Sequence, residues 1–102
     1  MPEKNKDGLA VEFSFNARQE IKIAFSWYEE KQLGLGERFL AMLERKVKFL
    51  SKNPLTYPLK HKFLRIAKIN VFPFVIVYEV FEDKVVIYHV FHTRRNPNFW
   101  KK

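Results

Sequence analysis

Apolar and polar residues alternate from Ala10 to Phe15, with Val11, Phe13 and Phe15 on one side and Glu12 and Ser14 on the other. A period of two predicts a strand with one buried face. The period then lengthens. Ile21, Ala24, Phe25 and Tyr28 recur at helical spacing, and Ile23 and Trp27 widen the stripe, so a helix is predicted from Ala17 to about Lys31. Asn16, with Gln19 three residues on, fits an N-cap and its capping-box partner. Gly34-Leu35-Gly36 ends this helix, because glycine readily takes the left-handed conformation used at helix termini. A second stripe, Phe39, Leu40, Leu43, Val47 and Leu50, predicts a helix from Glu37 to Ser51. Asn53-Pro54 stops it, since proline disfavours a helical residue before it. The short link makes the two helices an antiparallel hairpin.

After Pro58 the pattern predicts strands over Phe63 to Ile69, Phe74 to Phe81 and Val85 to His92. Glu82-Asp83-Lys84 joins the last two as a hairpin. Both of these strands are apolar on both faces, which places them at the centre of the sheet beneath the helices. The expected order is β-α-α-β-β-β, an α+β fold with a helical hairpin packed on a small, mainly antiparallel sheet. It forms a single domain over residues 10–102, preceded by a flexible leader over residues 1–9.

Charge sharpens this picture. The net charge is +8, and residues 1–43 hold 6 Lys/Arg against 7 Asp/Glu while residues 44–102 hold 13 against 4. So basic a second half points to an anionic partner: RNA, DNA, a ribosome or an acidic protein. The competing reading is a solvated face that serves solubility. The chain has no cysteine, which excludes disulfides and thiolate zinc sites. Met1 to Gly8 lacks the apolar core of a secretory signal. Ile69 to Phe81 is interrupted by Asn70, Pro73 and Glu79 and falls short of the roughly 20 apolar residues of a membrane helix. A cytoplasmic location is therefore expected. There is no Ser-His-Asp constellation and no glycine-rich phosphate loop. His89 and His92, three apart on a strand, should face opposite ways, so neither a metal site nor a cofactor is expected.

Several stretches resemble the RelE/ParE family of toxins from type II toxin–antitoxin systems, in its ParE-like plasmid-stabilisation branch. Ser26 to Leu40, SWYEEKQLGLGERFL, is similar to that branch's helix–turn–helix segment. Lys52-Asn53-Pro54 resembles its helix exit, and Phe72-Pro73-Phe74 the Phe-Pro-Tyr that opens a strand. Val90 to Trp100, VFHTRRNPNFW, resembles the closing segment His-Thr-x-Arg-Asn-Pro-x-x-Trp. Together these words span about Val11 to Lys101. The resemblance implies an acidic cognate antitoxin with a flexible segment that wraps the toxin. It also implies one of two targets: DNA gyrase, or the ribosome, where the other branch cuts mRNA.

Ribosome-dependent cleavage needs a base, an acid and cations that hold the phosphate. The candidates are Lys60, His61, Lys62, Arg65, Lys68, His89, His92, Arg94 and Arg95. By resemblance, Arg95 aligns with a catalytic arginine of the RelE branch, and Arg65 stands where the family places an arginine. Against cleavage, Val75 replaces an arginine of that branch, and Phe99-Trp100 occupies the region of its C-terminal tyrosine. A metal-independent endoribonuclease would therefore rest on Arg65, Arg95 and His92. A non-enzymatic inhibitor would use Arg65, Arg94, Arg95, Lys62, Lys68 and Trp100 as contacts to target or antitoxin. A non-toxic RNA- or protein-binding module is the third possibility. His92 could instead hydrogen-bond to backbone and fix the arginine-rich loop. Phe25, Trp27 and Tyr28 read as core, or as a docking stripe for an antitoxin helix.

Overall fold

The computed structural model describes residues 8–95. Along the chain run β1 (Ala10–Phe13), α1 (Phe15–Lys31), α2 (Leu35–Lys52), β2 (Leu59–His61), β3 (Leu64–Lys68), β4 (Phe74–Val80) and β5 (Lys84–His92). The strands form one sheet of five in the order β1-β5-β4-β3-β2. β1 lies parallel to β5 and the other three pairings are antiparallel. The apolar β4–β5 hairpin is central, as its sequence requires. The α+β fold and mainly antiparallel sheet agree with the sequence reading, but β2 is an additional strand. At three residues it is too short to show a period.

The boundaries shift where side chains outcompete the pattern. α1 begins at Phe15, two residues early, because Ser14 and not Asn16 is its N-cap. The Ser14 hydroxyl accepts from Ala17 N at 3.0 Å and donates to Tyr88 O at 2.8 Å. One residue thus caps the helix and ties it to β5. Phe15 consequently leaves the strand face on which it was expected and is 65% exposed. Phe63, expected within a strand, sits in the β2–β3 turn and is 71% exposed. α2 starts at Leu35 behind Gly34, whose φ of 90° suits glycine. Glu29 completes this junction: its two carboxylate oxygens accept from Gly34 N at 2.8 Å and Gly36 N at 2.9 Å, taking up amides at the start of α2.

The core lies between the helical hairpin and one face of the sheet. Ala17 and Ala24 are small enough to bring α1 close to β5. Tyr28 packs with Phe39, Phe72 and Phe74 at ring separations of 4.9–6.1 Å, a cluster that joins both helices to the opening of β4. Phe39, Leu43 and Leu50 supply the buried face of α2. On β5 the core-facing positions are Val85, Ile87 and Val90, a break in alternation. A register shift opposite Val77/Tyr78 explains it: Tyr88 is the extra residue of a bulge, so the face changes after it. Ile23 and Trp27, expected to widen the buried stripe of α1, are instead 65% and 44% exposed. The helix packs through a narrower face than its apolar content suggests. At the other end, Leu9 is held to α2 by its N–H on Ser51 O at 3.0 Å and its carbonyl on the Ser51 hydroxyl at 2.6 Å.

Candidate functional site

β1 ends opposite Ile87, so β5 continues for several residues with no strand beyond it. α1 runs along this open edge. Glu20 reaches it with both carboxylate oxygens: one accepts from Val90 N at 2.8 Å, the other lies 3.0 Å from His89 Nδ1. Above that contact a groove of about 270 Å³ opens between helix and strand. Ile23, Ala24, Phe74 and Val90 form its apolar walls, and His92 and Arg95 its basic end. The exposed Ile23 and Trp27, one helical turn apart, extend the apolar surface along α1. Lys31 places its ammonium 4.6 Å from the Trp27 ring centre. The surface is therefore apolar along the helix and cationic where β5 ends.

His92 packs edge-on against Phe74 at 5.1 Å between ring centres. Its Nδ1 accepts from Arg94 N at 3.1 Å, which sets the direction of the chain into the arginine pair. Burial lowers the His92 pKa, and the nearby Arg95 and Arg94 charges lower it further, which favours the neutral ring that can accept this bond. Arg94 and Arg95 are exposed. His89 lies on the other side of the strand, stacked on Phe91 at 4.4 Å. Trp100 lies outside the described residues.

The remaining candidates are elsewhere. Arg65 pairs in register with Tyr78 on the helix-facing side of β3. Its Nη1 donates to Tyr57 O at 2.5 Å, and its Nε is buried with no hydrogen-bond partner. It ties the α2–β2 loop to the sheet and is half-buried. Tyr78 beside it donates to Pro54 O at 3.2 Å, and burial pushes its pKa up to about 12. Val75 is 7% exposed and sits in register between Lys68 and Phe91. Lys62 is exposed in the β2–β3 turn with φ of 54°, and Lys68 is exposed at the end of β3. The two are separated from the β5 terminus by β4. Hence His92, Arg94 and Arg95 form one cluster, whereas Arg65, Lys62 and Lys68 do not join it. Sequence reasoning missed Glu20. An acidic residue on a helix carries no mark of the strand edge it will meet.

The family model for the ParE toxin of the type II toxin–antitoxin system parDE matches residues 11–97. The chain belongs to the ParE toxin family. It is accordingly the toxin component of a type II toxin–antitoxin system, and membership implies a cognate antitoxin. Among solved structures it is similar to one from the chromosomal ParDE system of P. aeruginosa, with a TM-score of 0.74. The two share 12% identity, over 85% of this chain and 98% of that one, so the likeness speaks for the fold. No curated protein matches the sequence. In this ParE-family toxin no described helix is long and apolar enough to cross a membrane, and the described residues contain no cluster of three or more metal-ligating side chains.

Proposed function

We propose that this toxin inhibits growth by binding a large target, with DNA gyrase the leading one, and not by cutting RNA. The observation that carries this is the setting of Arg65. Its guanidinium is committed to the Tyr57 carbonyl on the inner side of the sheet, a poor position from which to hold a scissile phosphate. Val75 supports the same reading, because an aliphatic side chain cannot stabilise transition-state charge. His92 has its Nδ1 engaged by backbone and two arginines as its nearest charged neighbours, while Glu20 across the groove is held by Val90 N and His89.

The groove beside α1 fits the antitoxin. Ile23 and Trp27 offer apolar area to a helix, and Arg94 and Arg95 offer charge to an acidic chain. Trp100 is a further contact to antitoxin or target. Such a protein would work in the cytoplasm, where gyrase and ribosomes are.

The test is induction of the chain alone in bacteria, with pulse-labelling of DNA and protein synthesis. DNA synthesis should stop first, and the purified toxin should inhibit gyrase supercoiling. If protein synthesis stops first and mRNA carries codon-phased cuts, the exposed Arg94–Arg95 pair beside His92 would belong to an mRNA interferase, and the binding-inhibitor reading fails.

A further inference from the structure

From Arg45 to Tyr78 the sequence contains no Asp or Glu, yet it carries eight cations: Arg45, Lys46, Lys48, Lys52, Lys60, Lys62, Arg65 and Lys68. Lys60 and Lys62 lie on β2 and its turn, and Arg65 and Lys68 on the adjoining β3, at the side of the sheet opposite β1. Tyr57 is the hub. Lys46 donates to its hydroxyl at 2.9 Å, Arg65 donates to its carbonyl, and Leu59 of β2 pairs in register with Arg65. Lys52 closes α2. Lys48 pairs with Glu44 across 3.9 Å, whereas Lys52 and Lys62 have no carboxylate partner among the described residues. A segment of one charge sign, with no Asp or Glu of its own, suits a polyanion.

Apolar side chains are set among these cations. Leu55, Leu59 and Phe63 are 66%, 56% and 71% exposed. An acidic partner strand is poorly accommodated, because β2 has only three residues and an irregular register with β3. An unpaired nucleic-acid strand needs no such template. It needs cations along its backbone and a ring face against which a base can stack.

We infer that this edge, from Leu59 to Phe63, binds single-stranded nucleic acid. Lys60 and Lys62 contact phosphates, and Phe63 stacks on a base. The inference does not depend on gyrase being the target.

The test is fluorescence polarisation with labelled unpaired DNA, RNA of the same sequence and the matching duplex, titrated with the full chain free of antitoxin. Both single strands should bind more tightly than the duplex, and less tightly as salt rises. Lys60→Glu with Lys62→Glu should weaken single-strand binding about tenfold or more and reduce its log–log salt slope by about 1.4, the share of two phosphate contacts. Phe63→Ala should weaken single strands by at least about fivefold, the scale of one lost base stack, and leave the duplex unchanged. Lys22→Glu with Lys31→Glu, an equal charge change on α1, should have little effect.

Failure of both single strands to bind saturably would overturn the inference. So would an equal loss from the α1 pair, which would reduce the effect to net charge, or a labelled polyglutamate peptide that binds more tightly than either strand. Gyrase inhibition is read in a separate supercoiling assay, so the two readings can fail independently.

Discussion

Glu20 of α1 and His89 of β5 meet at 3.0 Å across the strand edge that β1 leaves open, and the second oxygen of the same carboxylate takes the Val90 N–H. A side chain thus does the work of a missing strand: it satisfies an edge amide and fixes the helix to it. Both side chains are partly exposed, so the ion pair itself adds little and the amide bond matters more. Glu20→Ala should therefore lower stability by about 1–2 kcal/mol. Glu20→Gln keeps an oxygen for Val90 N and should lose less than half as much. Urea unfolding midpoints measure both, and equal losses would show that the charge on His89 dominates.

The two glycines of the helical turn should respond differently to substitution. Gly34 has φ of 90° and open space around it, so Gly34→Ala should cost about 1–2 kcal/mol of backbone strain, and Gly34→Asn should recover most of that. Gly36 has an ordinary φ, but a Cβ there would stand 2.7 Å from Phe25 O and 2.8 Å from Glu29 Oε1. Backbone must move, so Gly36→Ala and Gly36→Ser should each cost about 1–3 kcal/mol, with no rescue by residue type. Thermal unfolding of the four variants separates strain from clash.

These cases mark what the sequence makes legible. The helical hairpin, the central β4–β5 pair and the α+β class follow from local periods and turn residues. Glu29 as a double acceptor and Glu20 as an edge clamp do not, because their partners are chosen by packing. The bulge at Tyr88 is equally hidden: Val85, Ile87 and Val90 read as a simple apolar run, and only the register shows where the face changes. At the candidate site the resemblance named His92, Arg94 and Arg95, which the fold brings together, and Arg65, whose guanidinium it turns to the Tyr57 carbonyl. Sequence distance to Phe72 gave its position but not the direction of its side chain.

Arg65 can be tested as a structural residue against its role as a target contact. Its stem is packed and its Nη1 holds the loop, while its Nε lacks a partner. Arg65→Ala removes both packing and hydrogen bond and should cost about 1–3 kcal/mol. Arg65→Met keeps the stem and removes the unsatisfied donor, so it should be the milder change. If the residue is structural, the methionine variant should still arrest growth at permissive temperature. Abolished toxicity with unfolding unchanged would return Arg65 to the target-contact surface.

His92 makes stability depend on pH in a known direction. Burial and the two arginines lower its folded pKa below its ordinary 6.5, so the unfolded chain binds the proton more readily. The stabilising contribution is present above the ordinary value and is lost as pH falls through the lowered one. Wild-type stability should decline on acidification from about pH 7 to pH 5. His92→Asn keeps an acceptor for Arg94 N and cannot titrate there, so its decline should be shallower. Unfolding free energies across that range decide the point, and parallel curves would remove His92 as the source.

Ile23 tests the groove as the antitoxin surface without disturbing the core. Its side chain is 65% exposed, so Ile23→Asp should change stability little. In the complex it would sit at the apolar centre of the contact beside Trp27, where a buried carboxylate is costly. Affinity for the cognate antitoxin should fall at least about tenfold, or about 1.4 kcal/mol. Phe15→Asp, at another exposed position of α1, should have no such effect. Titration calorimetry of the two variants against the antitoxin reads the difference. Unchanged affinity of Ile23→Asp would place the antitoxin on another face, with the interhelical groove around Ile21, Phe25 and Leu40 next to be tested.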